Sequence, residues 1–393
     1  MGADQPKILI LSAYDVGGAS IAAIRMHLGF LESGMESRFL TLHASSDALP
    51  QHFQFSPKSD FTSRLSLKLK QRREHQIKNS LKLPEDRSLS GEFSFPLASY
   101  DVTESTHWSW ADVVIIHWVN EWIQLETLVE KAGSKPLIWV MHDMHAFSGG
   151  CHYSHGCEGL IRECQACPML EGSNLPNLAY QFWVGKSKAI KKHQPNLTIT
   201  APSNWMLQWS QRSSLFGHFP HQHIFNSLDT RVFAPRSMDA CRQALGIPAE
   251  KRVLLCVIQS LTDHRKGFSI LLEALSHLKK YPNLLLCTVG KHKNLPKELP
   301  IDHLHFGLVS DERLLVMLYN SADVFVHPAI EDNLPNVVVE AISCGIPCAG
   351  FSIGGMPEMV QNNENGYLSE EINPKALAET IEKTLHQKWE KGK

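Results

Sequence analysis

The stretch from residue 331 to residue 347 reads EDNLPNVVVEAISCGIP, and it says most about the fold of this chain of 393 residues. Two acids in it, Asp332 and Glu340, are eight residues apart. The residues between them predict a loop that leads into a helix, so one carboxylate lies on the loop and the other about two turns up the helix. At that spacing, two carboxylates reach two hydroxyl clusters of one long ligand.

The predicted helix start is the second part of this pattern. Free backbone amides and the positive end of the helix dipole favour a phosphate there. The residues that bring those amides are Asn333, Leu334 and Asn336. Acids and amides together suit a nucleotide-sugar. The alternative interpretation is an ordinary capped helix that buries the three valines at 337–339.

Short apolar runs alternate with helix-length segments in both halves of the chain, which predicts an α/β protein with two Rossmann-like units of parallel strands wrapped by helices. In the first half the predicted strands are Ile8–Ser12, Arg38–Leu42, Val113–His117, Leu137–Met141 and Leu197–Ala201. In the second half they are Val253–Ile258, Leu284–Val289, Leu304–Phe306, Val324–His327 and Pro347–Phe351.

Composition narrows the class of protein. A chain of 393 residues fits two domains, and 43% apolar with 20% charged residues is typical of a globular protein. A net charge of -2 gives no drive toward nucleic acid, so no nucleic-acid partner is expected. The first residues lack the features of a signal peptide, and we expect a cytoplasmic protein.

From His327–Pro328 to Gly345–Ile346–Pro347 the sequence resembles the E-x7-E region of retaining glycosyltransferases with the GT-B fold, family 4 type. The resemblance extends to enzymes of colanic acid and exopolysaccharide biosynthesis. It implies two Rossmann-like domains that face each other across a cleft. It also implies that Asp332 contacts the donor hexose and Glu340 the ribose. The first acid is Asp where the family has Glu, and Glu331 offers a competing register.

The resemblance also implies a division of labour between domains. The segment Asn226–Pro235, NSLDTRVFAP, is similar to the interdomain segment of the family, with Ser227 in place of the usual Gly. We therefore expect an acceptor-side domain at 1–226 with a Cys-rich loop at 148–170, and a donor-binding domain at 227–393. A final helix, Pro374–Trp389, is expected to cross back to the first domain, as in GT-B relatives.

Two segments are predicted to hold the donor diphosphate. Gly17 and Gly18 follow the first strand and open a predicted helix, Ala19–Leu31, so a phosphate can approach the backbone. Arg265 and Lys266 precede a leucine-rich helix and supply positive charge for a leaving diphosphate. The resemblance makes Lys266 the diphosphate-binding lysine. A tight turn and a solvated basic turn are the respective alternatives.

His142 follows the strand Leu137–Met141, at the edge of the first sheet where ligands of α/β folds gather. In similar enzymes a histidine here lies next to the transferred sugar, so His142 is the first-domain candidate for the reaction centre. His117 and His145 are weaker candidates. With Lys266 and Asp332, His142 completes the predicted catalytic set.

The resemblance implies a mechanism in which the acceptor attacks from the front face and the leaving phosphate takes its proton. No enzymic nucleophile is needed, and the chain has no Asp-x-Asp, so we expect no metal cofactor for catalysis. The expected partners are a UDP- or GDP-sugar donor and a glycan or lipid-linked acceptor.

Four cysteines lie within 17 residues, with the spacing C-x5-C-x6-C-x2-C. They are Cys151, Cys157, Cys164 and Cys167. In a reducing compartment four thiols favour a tetrahedral zinc ion over disulfides, and we predict a structural zinc site, with free thiols or a disulfide as the alternative. The histidines 152 and 155 are alternative ligands.

Residues 64–82 carry seven basic residues and one acid. A basic amphipathic helix here would rest on anionic lipid headgroups at the inner membrane face, while a solvated loop is the alternative, because Leu65, Leu67 and Leu69 alternate.

Two other functions remain open from the sequence. A nucleotide-sugar epimerase of the same fold needs acids poised for elimination. A catalytically silent nucleotide-sugar binding protein would explain why Ser260 replaces an arginine of the family and Asp332 a glutamate.

Overall fold

The computed structural model describes residues 5–46, 48–57, 61–83, 92–95, 100–292 and 298–389, with only the backbone at 61–64 and 66. The chain divides into two units, Met1–Ser227 and Leu228–Lys393. Each unit contains one fully parallel sheet.

The first sheet has seven strands in the order β3-β2-β1-β4-β5-β6-β7. They are β1 (Ile8–Tyr14), β2 (Ser37–His43), β3 (His52–Gln54), β4 (Val113–Ile116), β5 (Leu137–Val140), β6 (Leu197–Ala201) and β7 (His221–His223). The helices are α1 (Gly18–Glu32), α2 (Phe61–Ser80), α3 (Thr106–Trp110), α4 (Leu125–Ala132), α5 (Leu178–His193) and α6 (Asn204–Arg212).

The second sheet has six strands in the order β10-β9-β8-β11-β12-β13. They are β8 (Arg252–Ser260), β9 (Leu284–Lys291), β10 (Asp302–His305), β11 (Val324–His327), β12 (Cys348–Phe351) and β13 (Gly366–Ser369). The helices are α7 (Met238–Leu245), α8 (Phe268–Leu275), α9 (Glu312–Ser321), α10 (Asn336–Ser343), α11 (Met356–Met359) and α12 (Pro374–His386).

Burial on both faces explains why the central strands are continuous apolar runs. In β8, Val253, Leu255 and Val257 pack into one core cluster, while Leu254, Cys256 and Ile258 pack into another on the opposite face. These runs are the pattern from which the strands were predicted, and all ten predicted strands are confirmed within a few residues at their ends.

The strands β3, β7 and β13, which are short outer strands, had not been predicted from the sequence. The predicted final helix is present as α12, and its packing partners include α8, β12 and β13. Its crossing to the first unit stays a prediction. Leu377, Ile381 and Leu385 are buried in the core of the second unit, because their helical spacing gives α12 an apolar face that the second sheet covers.

In both sheets the strand order reverses beside the first strand of the unit, at β1–β4 and at β8–β11. Ligands of open α/β sheets bind outside the carboxyl ends of strands at such a point. The loops that leave β1, β4, β5, β8 and β11 carry nearly all the predicted site residues.

Candidate functional site

The loop after β8 is held in place by a cap and by a close backbone approach. The carboxylate of Asp263 accepts the N–H of Arg265 at 3.0 Å and begins a 3-10 turn, His264–Lys266. Gly267 follows with φ of 67°, and a Cβ there would come within 1.8 Å of the carbonyl oxygen of Pro328. This turn is therefore pressed against the loop that leaves β11.

Asp332 lies at the centre of a charge cluster that the two loops form. Its Oδ2 is 2.6 Å from Lys266 Nζ, and Arg265 Nη1 is 3.7 Å from its Oδ1. The ring of His327 adds a third contact, with Nε2 3.1 Å from Oδ2. Asp332 is only 5% exposed. The predicted cation pair and the predicted hexose acid are thus directly joined, although they are separated by 66 residues in the chain.

The electrostatics of this cluster favour an ionised acid. Burial acts to raise the pKa of Asp332, but Lys266, the hydrogen bond from His327 and Arg265 together hold that pKa well below its usual value. Burial lowers the pKa of His327, against the opposing effect of Asp332, so its ring is neutral and donates from Nε2. Asp263 is the second acid of the cluster, with Oδ2 3.6 Å from Arg265 Nη2, so two carboxylates face the two cations.

Glu331 and Glu340 have different surroundings. The backbone carbonyl of Glu331 accepts a hydrogen bond from Arg265 Nη1 at 2.8 Å, and the residue is half-buried. The carboxylate of Glu340, buried on α10, accepts the hydroxyl of Tyr319 at 2.7 Å. The choice between Glu331 and Asp332 as the sugar contact stays a prediction.

The start of α10 is built as the sequence predicted, with Asn333 and Leu334 buried ahead of it and Asn336 as its first residue. No side chain caps the helix. Gly354 packs closely against this loop. Its φ is 52°, and a Cβ added to it would lie 1.6 Å from the carbonyl oxygen of Asp332.

In the first unit, Gly17 is the residue before α1, with φ of 95° and ψ of 164°, and no side chain caps the helix. Gly18 is exposed, and a Cβ there would meet no atom within 4 Å. The geometry matches the predicted glycine corner, because only glycine adopts this backbone readily.

His142 pairs with His117, the residue that follows β4. His117 Nδ1 is 2.8 Å from His142 Nε2, and the two rings stack at 5.0 Å. Burial lowers the pKa of His142 to about 4 and that of His117 well below its usual value. Both rings are therefore neutral near pH 7, and one donates to the other.

Asp143, next to His142, has three hydrogen-bond partners. It accepts the indole N–H of Trp118 at 2.9 Å and the backbone N–H of His145 at 2.9 Å, and it lies 2.6 Å from His152 Nδ1. Burial acts to raise the pKa of Asp143, but His152 outweighs it and the pKa is held far below its usual value.

The sequence indicated no contact for His327, Tyr319 or Asp143, and it suggested His152 only as an alternative metal ligand. His327 had a signal, since it ends a strand five residues before Asp332. The others are linked by contacts between distant segments, such as the 21 residues between Tyr319 and Glu340, and no spacing rule reveals them.

The four clustered cysteines are free thiols that line one cavity. Burial raises the pKa of Cys164 to about 11. Within the described residues, no three or more His, Cys, Asp or Glu side chains already stand in an arrangement that would hold a metal.

The basic segment forms the helix α2, so the loop alternative is wrong for residues 61–80. Leu65 and Leu69, one turn apart, are 47% and 58% exposed. In the part of the chain that the structure describes, no helix combines the length and apolarity needed to span a bilayer.

Comparison with known proteins finds a family match in the second unit. Residues 237–393 match the family described as glycosyl transferases group 1. The chain is 24% identical over 378 residues to the putative colanic acid biosynthesis glycosyl transferase WcaC of Escherichia coli K12, covering 90% of this chain and 85% of that protein.

Solved structures show the fold. The structure of HepE from Anabaena with UDP and glucose has a TM-score of 0.61 and 17% identity, and sucrose-phosphate synthase from Thermosynechococcus elongatus has 0.61 and 14%. Each match covers 97% of this chain and 90% of the other. The predicted fold class, GT-B with two Rossmann-like units, is confirmed.

Proposed function

The chain carries a group 1 glycosyltransferase domain in its second unit, and we propose that it is a retaining hexosyltransferase acting on a nucleotide-diphosphate sugar. The proposed acceptor is a glycan or a lipid-linked glycan of surface polysaccharide biosynthesis. The relative WcaC supports this acceptor class by its name, and HepE, solved with UDP and glucose, supports a UDP-sugar donor over a GDP-sugar.

The cluster of Lys266, Arg265 and Asp332 is the observation that carries the proposal. A diphosphate leaving group needs positive charge that is already in place, because reorganising a site during the reaction costs free energy. Asp332 orients Lys266 at 2.6 Å, and the turn that holds both cations is fixed by Gly267. In this proposal the cations and the amides of Leu334 and Asn336 bind the diphosphate and sugar, while the N–H of Asn333 is donated to Asp332 Oδ1 at 3.0 Å and reaches a ligand only if that contact opens.

Glu340 is proposed to bind the ribose. Its carboxylate is held by the hydroxyl of Tyr319, so it accepts ribose hydroxyls from a fixed position. Asp332 is the proposed hexose contact. Its Oδ2 faces Lys266 and His327, and its Oδ1 accepts the N–H of Asn333 at 3.0 Å, so the carboxylate is held in place and we assign a remaining lone pair to a sugar hydroxyl.

For the reaction we propose front-face displacement. The bond between the anomeric carbon and the phosphate oxygen breaks, and the acceptor oxygen bonds to that carbon from the same side. The acceptor proton passes to the departing phosphate oxygen. Lys266 and Arg265 stabilise the developing charge, and no metal ion enters the proposed reaction.

The first unit is proposed to serve the acceptor side, with the glycine corner at Gly17 and Gly18 contacting the donor phosphate. His142 is assigned to a hydroxyl of the transferred sugar. Because His142 and His117 are neutral and hydrogen-bonded, His142 exchanges hydrogen bonds without adding charge.

A lipid-linked acceptor requires contact with a membrane, and α2 is proposed to provide it. Leu65 and Leu69 are exposed on a helix whose neighbouring side chains are mainly basic, a composition that binds anionic headgroups. Sedimentation with vesicles that contain phosphatidylglycerol tests this. Binding that persists in Leu65→Ser/Leu69→Ser at the wild-type level would contradict it.

The function itself is tested with a panel of UDP-, GDP- and ADP-sugars. A ligand that binds the folded state raises the melting temperature, and a competent transferase slowly hydrolyses the same donor. We expect one donor to do both in the presence of a chelator, with the sugar released in its original anomeric form. Binding without hydrolysis would favour the silent binding protein.

A further inference from the structure

Outside the proposed donor site, the least explained feature of the molecule is the loop between β5 and α5. It holds three short 3-10 turns, His145–Phe147, Gly159–Ile161 and Pro168–Leu170, and otherwise no regular structure. A loop of this length without its own helix or strand needs another source of order. The four clustered cysteines all lie on it.

The backbone of this loop adopts unfavourable conformations at its cysteines. Glu163, Cys164 and Ala166 have φ of 68°, 54° and 51°, a region that residues with a side chain rarely occupy. Such conformations persist only where surrounding contacts fix them. Three such conformations within or next to the C-x2-C segment indicate a turn that sets the positions of the Cys164 and Cys167 side chains.

The four sulfurs share one cavity. Its lining consists of Cys151, Cys157, Cys164 and Cys167 with Phe93, Gly149, Ser154, Leu160 and Ala179. The lining contains no carboxylate and no histidine. Cys₄ sites of this kind select zinc, because soft thiolates bind it in tetrahedral geometry.

Backbone amides point at two of these sulfurs. Gly149 N–H donates to Cys164 Sγ at 3.1 Å, and Gly159 N–H donates to Cys157 Sγ at 3.2 Å. N–H donors to sulfur stabilise thiolates, and such contacts typically surround metal-bound cysteines.

A buried cation lies beside the same cavity. Lys186 is 1% exposed and donates to the carbonyl oxygens of His145 and Ser148 at 2.6 Å and 3.0 Å. It is close enough to interact electrostatically with Cys151 and Cys164. Four thiolates and one divalent zinc carry a net negative charge, which this ammonium group offsets.

We propose that Cys151, Cys157, Cys164 and Cys167 bind one structural zinc ion that fastens the loop. The sulfurs line the cavity without yet meeting in a metal-holding arrangement, so binding requires side-chain rotations that draw them together. With four protein ligands the metal has no open position, and its role is structural.

The fastened loop places His152 next to the proposed reaction centre. His152 follows the first cysteine, and its ring lies between Asp143 Oδ2 at 2.6 Å and Ser94 Oγ at 2.8 Å. Its backbone carbonyl accepts the N–H of Met144 at 2.8 Å. Zinc would therefore hold the partner of Asp143, the neighbour of His142.

Metal analysis of the full chain purified without added zinc tests the proposal directly. We expect about one zinc per chain, released when a mercurial reagent blocks the thiols. Cobalt substitution should give sulfur-to-cobalt charge-transfer bands. The variant Cys164→Ser/Cys167→Ser should lose the metal, whereas the control Cys241→Ser, a cysteine of α7, should keep it.

Three results would overturn the proposal: wild-type protein without zinc, a disulfide between any two of the four cysteines, or zinc retained in the double variant. The wild-type measurement does not depend on how well the variant folds. Hydrogen exchange supplies the structural readout. Removing the metal should raise exchange at 148–170 and leave the second unit unchanged, and unchanged exchange at 148–170 would count against the fastening role.

Discussion

Each of the two sheets carries a buried polar cluster on loops at the carboxyl ends of its strands, and these two clusters are built from different chemistry. In the second unit, Asp332 faces two permanent cations, Lys266 and Arg265. In the first unit, Asp143 faces the imidazole of His152, next to the neutral pair His117 and His142. One cluster is held together by permanent charges, and the other contains imidazoles, whose charge depends on pH.

Removing the lysine of the fixed-charge cluster should have the largest effect. Lys266→Met removes the ammonium group proposed to bind the diphosphate, and we expect kcat/KM to fall about 100- to 1,000-fold. The control Lys375→Met removes an exposed lysine of the same unit and should change kcat/KM by less than about twofold. Equal effects in the two variants would show that Lys266 acts only as surface charge.

The loop that carries Asp332 is tested by a pair of glycines. Gly354 and Gly307 both have positive φ, but an added Cβ meets the Asp332 carbonyl in the first and open space in the second. Gly307→Ala should lower the free energy of unfolding by about 1 kcal/mol and Gly354→Ala by more than about 3 kcal/mol. Denaturant titration measures both, and similar losses would contradict the close approach.

The elements that could be predicted were those with a local signature. Continuous apolar runs marked the central strands, whereas β7, with the sequence His221–His223, has no apolar run and forms only because β6 offers an edge. The segment Leu65–Leu69 alternates like a strand but lies in a helix. Leu65 and Leu69 are exposed, so the spacing of apolar residues there does not mark a buried face.

The candidate site divides in the same way. Glycine corners, the cation pair and the acid spacing were visible because each lies within a few residues. The contact between Lys266 and Asp332 was not, because it depends on how the loops after β8 and β11 meet. The apolar spacing of the final helix predicted that one of its faces is buried, but not which elements cover that face.

The histidine cluster should make stability pH-dependent. His142 has a pKa of about 4 in the folded chain against 6.5 ordinarily, so the unfolded state takes up its proton first as pH falls. The contribution of His142 to the free energy of unfolding is therefore at its full value above about pH 6.5. It falls between about pH 6.5 and about pH 4, by up to about 1.4 kcal/mol per pH unit.

Denaturant titrations at about pH 7.5 and pH 5 check this slope. The variant His142→Gln should show a smaller loss of stability between the two pH values than wild type. The exposed control His277→Gln should retain the full loss. If the free energy of unfolding depended on pH equally in His142→Gln and in wild type, His142 would not be the cause of that dependence.

The smallest expected effect concerns the proposed ribose acid. Tyr319→Phe deletes the hydroxyl that Glu340 accepts, and we expect the donor KM to rise about three- to tenfold with kcat nearly unchanged, equivalent to about 1 kcal/mol. The control Tyr281→Phe breaks a tyrosine–glutamate contact on the surface of the same unit. A fall in kcat with constant KM would assign Glu340 a different role.

The central claim is that the Lys266 cluster binds the diphosphate of the donor. The full chain is titrated in a calorimeter with UDP or GDP, whichever gives the larger thermal shift, and then with the matching nucleoside. The difference between the two binding free energies is the contribution of the diphosphate. If Lys266 binds the diphosphate, Lys266→Met should weaken binding of the nucleoside diphosphate about 10- to 100-fold and leave binding of the nucleoside unchanged. Equal weakening of both ligands, or of neither, would contradict it.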